Sequence, residues 1–190
     1  MKKLSSILFT LLLSFTIFAQ YDYEPSKKNP FGLLNPEAPK QTADYAPIIG
    51  ECTCKSVSRI DQNTWADTVM MKWTYKYILN GMAVQDETLK EDGTHSGSIR
   101  QYNADSSLWY VHYYSSNVAT PTLSAWEGNM TESDKMVLYK DQTAPNGTPG
   151  FFRITFSDIT ETGFNWTGEW VNKAETFVYP TWKIFCLRKE

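Results

Sequence analysis

The chain has few of the residues that most often carry metal or nucleophilic chemistry. Its 190 residues include two His and three Cys, and no C-x-x-C pair occurs. A zinc site built from these residues is not expected, and two histidines give little basis for a Ser-His-acid triad. We therefore expect no metal and no other cofactor.

An excess of either charge sign is also missing, as are the common catalytic motifs. The net charge is −3, and acidic and basic residues are mixed along the chain without a basic patch or arm. Nucleic acid is therefore not an expected partner. The sequence contains no G-x-S-x-G, P-loop, H-E-x-x-H or G-x-G-x-x-G motif, which argues against the enzyme classes that depend on them.

Long apolar runs are missing except at the start. Residues 1–3, Met-Lys-Lys, precede an apolar run over residues 4–18, which predicts a signal peptide over residues 1–19 that is cleaved before Gln20. An uncleaved anchor is the alternative. After signal removal we expect no membrane span and a secreted or periplasmic protein in an oxidising compartment.

Helical periodicity is absent from every segment of ten or more residues, whereas period-two alternation is common. Large side chains occupy the odd positions from Met71 to Leu79, and polar ones occupy positions 72, 74 and 76. This pattern predicts a half-buried strand whose odd side chains face inward, ending in an Asn80-Gly81 hairpin turn.

Turn signals divide the chain after residue 47 into about ten short strands. A meander of that length must close or split into two sheets. We predict an all-β domain over residues 48–190, an antiparallel up-and-down barrel of about ten strands, with a sandwich as the alternative. The predicted strands are 48–59, 65–79, 82–90, 96–103, 107–115, 121–128, 135–140, 151–157, 163–170 and 175–188.

Proline is concentrated before the predicted barrel, at positions 25, 30, 36, 39 and 47. Because proline interrupts both helices and sheets, residues 20–47 are predicted to form an extended arm. Disorder of its first half is the alternative. The arm is expected to lie on the domain through Tyr21, Tyr23, Phe31 and Leu34.

The three cysteines leave several pairings open. Cys52 and Cys54 are two residues apart on one predicted strand, too strained for a bond between them. Cys186 lies on the last strand, which neighbours the first if the sheet closes. Cys54–Cys186 is our first hypothesis, Cys52–Cys186 the next, and three reduced buried thiols the third.

Several motifs follow one another along the chain: Asn35-Pro36-Glu37-Ala38-Pro39, Ile49-Gly50-Glu51-Cys52-Thr53-Cys54, Trp73-x-Tyr75-x-Tyr77-Ile78-Leu79-Asn80-Gly81, Ile99-Arg100-x-Tyr102-Asn103, Arg153-Ile154-x-Phe156, Phe164-x-Trp166 and Trp182. In this order they resemble a family of bacterial proteins of unknown function with a calycin-like, or lipocalin-like, barrel. The likeness covers about residues 35–188 and implies a central cavity without an established activity. Cys52 stands where the family has tryptophan. Related haem-binding barrels ligate iron through histidine, but we expect His95 in a turn to be solvated and His112 to be an ordinary strand residue.

Aromatic residues make up 15% of the chain, enough for both a core and the wall of a ligand pocket. Arg100 and Arg153 lie in predicted strands, where a charge needs a partner or a ligand. Either they pair with carboxylates such as Asp86, Glu87 and Glu169, or one of them binds a ligand's anionic group. The predicted ligand-binding residues are Trp73, Tyr75, Tyr77, Arg100, Tyr102, Trp109, Arg153, Trp166 and Glu169.

Three functions are compatible with these features. The first is non-catalytic binding, in the cavity, of a small and partly apolar molecule, with an anionic group as one option. The second is a barrel enzyme of isomerase, cyclase or lyase type that uses Arg, Tyr and carboxylates, for example with Asp86 and Glu169 as acid and base. The third is a structural or carbohydrate-contacting module. Cavity volume separates the first two from the third.

Overall fold

The computed structural model describes residues 21–188, so the predicted signal peptide lies outside the described residues. Ten antiparallel strands follow one another around a closed barrel, and the first strand pairs with the last. The predicted up-and-down barrel is confirmed. The strands are β1 (Gly50–Ser58), β2 (Val69–Ile78), β3 (Ala83–Lys90), β4 (His95–Asn103), β5 (Leu108–Ser115), β6 (Ser124–Met130), β7 (Met136–Thr143), β8 (Pro149–Thr160), β9 (Gly163–Asn172) and β10 (Val178–Arg188).

Alternation sets the facing of β2, as the sequence predicts. Met71, Trp73, Tyr75 and Tyr77 are buried inside the barrel. Leu79, which the pattern also placed inside, is 54% exposed. The alternation fails there because β2 ends at Ile78 and Leu79 begins the turn with a φ of 52°.

A 3₁₀ helix, Lys40–Ile48, closes one end of the barrel, and this end is called the closed end below. Its buried residues, Thr42, Tyr45 and Ile48, recur every third position, which is the period of a 3₁₀ helix. The prediction of an extended arm as far as residue 47 is therefore wrong for this segment. Burial of one 3₁₀ face outweighs the helix-breaking effect of Pro47.

The rest of the arm, residues 21–39, lies over the β2–β3 hairpin at the same end. The backbone N–H of Tyr77 donates to Phe31 O at 2.8 Å, and the Asn35 side chain donates to Asn80 O at 3.0 Å. Leu34 packs on the core, as predicted. Tyr21 is 66% exposed, so its predicted packing role is wrong.

The opposite end of the barrel is called the open end, and the β1–β2, β3–β4, β5–β6, β7–β8 and β9–β10 connections lie there.

Strands β1 and β10 are joined by a disulfide between Cys54 and Cys186, which are paired in the β-ladder with Cα atoms 4.1 Å apart. Cys52 is a free, fully buried thiol.

Between Tyr21 and Arg188, no helix has the length and apolar character needed to cross a membrane.

Candidate functional site

A cavity of about 290 Å³ lies inside the barrel and extends toward the open end. Its two walls differ in chemistry, because the inward positions of β3 and β4 are polar and those of β5 to β10 are mainly apolar. The polar wall carries Asp86, Thr88, Ser96, Ser98 and Arg100. The apolar wall includes Val111, Trp126, Phe152, Trp166, Trp182 and Ile184.

The polar wall is largely satisfied by its own hydrogen bonds. The hydroxyl groups of Thr88 and Ser96, which are paired across β3 and β4, lie 2.7 Å apart. Arg100 and Asp86 form a buried ion pair. Asp86 also accepts a hydrogen bond from Trp73 Nε1 at 2.8 Å, so this carboxylate has two donors at the bottom of the cavity.

Arg100 is enclosed by aromatic rings as well as by its ion pair. Its guanidinium carbon lies 5.2 Å from the ring centres of both Tyr45 and Tyr75. Tyr45 comes from the 3₁₀ helix, so the closing segment covers the arginine from below. Asp86 neutralises the charge of this guanidinium, although the buried Nε of Arg100 has no hydrogen-bond partner among the described residues.

Below the ion pair, an aromatic floor fills the closed end. Tyr45, Trp73, Tyr75, Trp109 and Phe156 are all buried there and meet mostly edge to face. Such packing stabilises the floor beyond the burial of its area. The predicted binding residues Tyr75, Tyr77, Trp109 and Tyr102 belong to this packed end and do not line the cavity.

The buried phenols of the closed end are strongly desolvated. Burial raises the pKa of Tyr45 to about 12, against the opposing effect of nearby Arg100. It raises the pKa of Tyr77 to about 12, and that of Tyr75 well above its usual value. Among the described residues none of these three hydroxyl groups has a hydrogen-bond partner, so the phenols stay neutral at ordinary pH.

Trp109 connects the floor to the closing helix by a polar contact. Its Nε1 donates to the Asp44 carboxylate at 3.0 Å. Burial raises the pKa of Asp44, and the hydrogen bond from Trp109 opposes that rise. Trp109 therefore holds the helix in place and does not contact a ligand in the cavity.

Two lysines lie among the tryptophans of the cavity lining. Lys140 Nζ is 4.4 Å from the centre of the Trp126 ring system, and Lys90 Nζ is 4.8 Å from that of Trp182. The sequence prediction missed both lysines. Continuing the alternation of Met136 and Leu138 along β7 would have placed Lys140 inside.

A wide groove of about 860 Å³ lies beside the cavity at the open end. The two spaces share Gln142 and Phe152 in their walls, so the cavity and the groove are adjacent. Trp170, Phe177 and Tyr179 supply the remaining rings of the groove.

Arg153 and Glu169 lie on the outer face of the barrel, which contradicts their predicted place in the binding site. Arg153 Nε donates to Glu169 Oε1 at 2.9 Å, and its NH1 group pairs with Glu175. Strand alternation explains the facing, because their neighbours Ile154 and Gly168 turn inward. Asp86 is inside and Glu169 outside, so the proposed acid–base pair is not assembled.

Three of the nine predicted binding residues line the cavity: Trp73, Arg100 and Trp166. Trp126 and Asp86 were missing from the predicted set. Aromatic residues occupy both the odd and the even positions of β5, so its sequence does not show which face is buried; the structure turns Trp109 and Val111 inward and His112 outward. Within residues 21–188, no three His, Cys, Asp or Glu side chains are grouped as a metal site requires.

No protein-family model matches the chain, and no curated protein matches it significantly. The likeness to the bacterial calycin-like family therefore stays a prediction. Function is accordingly inferred from the cavity and its two walls.

Proposed function

We propose that this protein binds a small, partly apolar molecule inside its barrel without transforming it. The observation that carries the proposal is the cavity of about 290 Å³, which remains above a tightly packed aromatic floor. Protein interiors are normally filled to crystal-like density. An open volume of this size in an otherwise packed barrel supports a binding role.

The size and lining of the cavity limit the ligand. Ligand pockets span about 300–1,000 Å³, so this cavity suits a molecule at the small end of that range. One wall offers Trp166, Ile184 and other apolar groups, and the opposite wall offers the hydroxyl group of Ser98. A compact molecule with one apolar face and one polar edge fits these two walls.

A cavity-filling substitution tests the proposal. Ser98 is buried in the polar wall, so Ser98→Phe should occupy part of the ligand's volume. Gln101→Phe is the matched control, because Gln101 is exposed on the outer face of the same strand. Calorimetric titration with uncharged 2-naphthamide should give one site in the parent and the control, and at least tenfold weaker binding in Ser98→Phe. Equal binding by both variants, or none by the parent, would contradict the proposal.

The enzyme alternative loses its specific support. An acid and a base must both reach the same ligand, and Asp86 and Glu169 lie on opposite faces of the barrel wall. Asp86 is also already held by Arg100 and Trp73. A binding role requires neither a free acid nor a free base.

A carbohydrate-contacting role is the second candidate, and the groove at the open end favours it. Phe177 is 56% exposed there, and Trp170 lies next to it with ring centres 6.1 Å apart. Exposed rings in an open groove can pack against the apolar face of a sugar. Affinity electrophoresis through soluble polysaccharides, comparing the parent with Phe177→Ala, tests this role; unchanged mobility of both proteins rules it out.

We also propose that the protein is exported and, in keeping with the sequence resemblance, of bacterial origin. The predicted signal peptide over residues 1–19 supports export, and the Cys54–Cys186 disulfide is consistent with an oxidising compartment. Sequencing the N-terminus of the mature protein tests export. Gln20 is the expected first residue, and an intact N-terminus in the cytoplasm would contradict export.

A further inference from the structure

The charges lining the cavity are unbalanced in a protein that is negatively charged as a whole. Among the described residues, three cationic side chains, Lys90, Arg100 and Lys140, line it together with one carboxylate, Asp86. The chain itself carries a net charge of −3. Arg100 and Asp86 neutralise each other, so the charge left for a ligand to meet belongs to the two lysines.

Lys140 is the less compensated of these lysines. No ion pair of Lys140 occurs among the described residues, and its sequence neighbour Asp141 is paired with Lys173 on the outer face. Lys90, in contrast, lies close enough to the exposed Asp92 to lower the pKa of that carboxyl, although hydrogen bonds from Thr94 lower it more. Partial burial lowers the pKa of Lys140, as expected for an ammonium group without a counter-ion.

Trp126 lies beside Lys140 in the cavity wall. The residue is 9% exposed and lines the cavity. The centre of its ring system is 4.4 Å from Lys140 Nζ, so a cation–π contact holds the ammonium group against this wall.

We propose that the ligand carries an anionic oxygen group, such as a carboxylate, which is bound by Lys140 Nζ. The apolar body then lies against the wall formed by Trp166 and Ile184. This inference rests on the proposed binding function and names the class of ligand. The sequence analysis offered Arg100 or Arg153 as the residue that binds an anion, whereas this inference assigns the anion to Lys140 of β7.

A pair of probes of equal shape tests the inference. The probes are 2-naphthoate and 2-naphthamide, which differ in charge but hardly in size. Calorimetric titration of the parent should show at least tenfold tighter binding of the naphthoate. In Lys140→Met the affinity for naphthoate should fall to the affinity for naphthamide, and the affinity for naphthamide should stay the same as in the parent.

Controls separate this inference from the function on which it rests. Lys55→Met removes an exposed lysine from the outer face of β1 and should leave the preference for naphthoate intact. If the parent binds both probes equally, or if Lys140→Met keeps the preference, the anion site is wrong and the binding function stands. If the parent binds neither probe, the inference and the proposed function both fail.

Discussion

Arg100 and Asp86 form an ion pair at the bottom of the cavity with only 4% and 3% of their side-chain surfaces exposed. The pair separates two regions of the barrel interior. Below it lie the close-packed rings of the closed end, and above it lies the ligand-sized space. The cavity therefore ends where the two charges are neutralised.

Removal of one charge from this pair should be costly. Arg100→Met leaves Asp86 buried with Trp73 Nε1 as its remaining side-chain donor. The loss of one partner of a buried pair destabilises proteins by about 3–5 kcal/mol. Urea denaturation followed by circular dichroism should show a loss of that size.

The double variant Arg100→Met/Asp86→Asn is the control for this prediction. It removes both charges and leaves an amide oxygen that can accept from Trp73. Because replacing both members of a buried pair is often nearly neutral, most of the lost stability should return. A single variant as stable as the parent would show that the pair is not essential to the floor.

The contact between the arm and the β2–β3 hairpin should be sensitive to one added methyl group. Gly81 has a φ of +78°, and a Cβ placed there would lie 2.4 Å from Leu33 O and 2.6 Å from Asn35 N. Gly93 has a similar φ of +83° but nothing within 4 Å of such a Cβ. Gly93→Ala should therefore lower the free energy of unfolding only by the backbone strain, about 1–2 kcal/mol. Gly81→Ala should lower it by clearly more, because the added Cβ also clashes with the arm. Equal losses in thermal denaturation would mean that the arm does not pack on the hairpin.

The buried phenols should make the protein lose stability in alkali. The pKa values of Tyr45 and Tyr77 are raised to about 12 from an ordinary value of 10.0, so the folded state favours the neutral phenol. The resulting stabilisation is present below pH 10 and is lost as the pH rises toward 12. Absorbance of phenolate should reveal tyrosines that ionise late, together with unfolding. Complete ionisation near pH 10 with the fold intact would contradict the burial of the floor.

The disulfide between β1 and β10 should stabilise the closed barrel. Cys54 and Cys186 are 132 residues apart, and long-range disulfides of this kind contribute about 2–5 kcal/mol. Cys54→Ala/Cys186→Ala should unfold at correspondingly lower urea concentration. Non-reducing peptide mapping should recover the Cys54–Cys186 peptide. Cys52 should react with iodoacetamide only after unfolding, because burial shields the Cys52 thiol and raises its pKa. A cross-link involving Cys52 would refute the assignment.

The barrel could be predicted from sequence because its strands are short, alternating and separated by turn residues. In β2, the positions of Trp73 and Tyr75 fixed which face is buried. The 3₁₀ helix was missed because Pro39 before it and Pro47 within it indicate an interrupted segment, although Thr42, Tyr45 and Ile48 recur every three residues. Spacing of three in so short a segment is a weak signal.

The binding site was harder to predict than the fold. A residue lines the cavity only if its side chain points into the barrel and also lies at the right position along the barrel axis. Tyr75 and Trp73 share a face, but only Trp73 reaches the cavity. Arg153 was misplaced because a charged residue in a strand does not itself show which face it occupies. Pairing with Glu169 and Glu175 satisfies it outside the barrel.

Native mass spectrometry of the protein purified from its own host tests the central claim most directly. The account predicts a small molecule that remains bound under gentle ionisation, at one copy per chain, and is absent from Ser98→Phe prepared in the same way. The mass and charge of the released molecule should match a compact apolar body with an anionic group. A parent protein that carries nothing and also binds neither naphthalene probe would contradict the account.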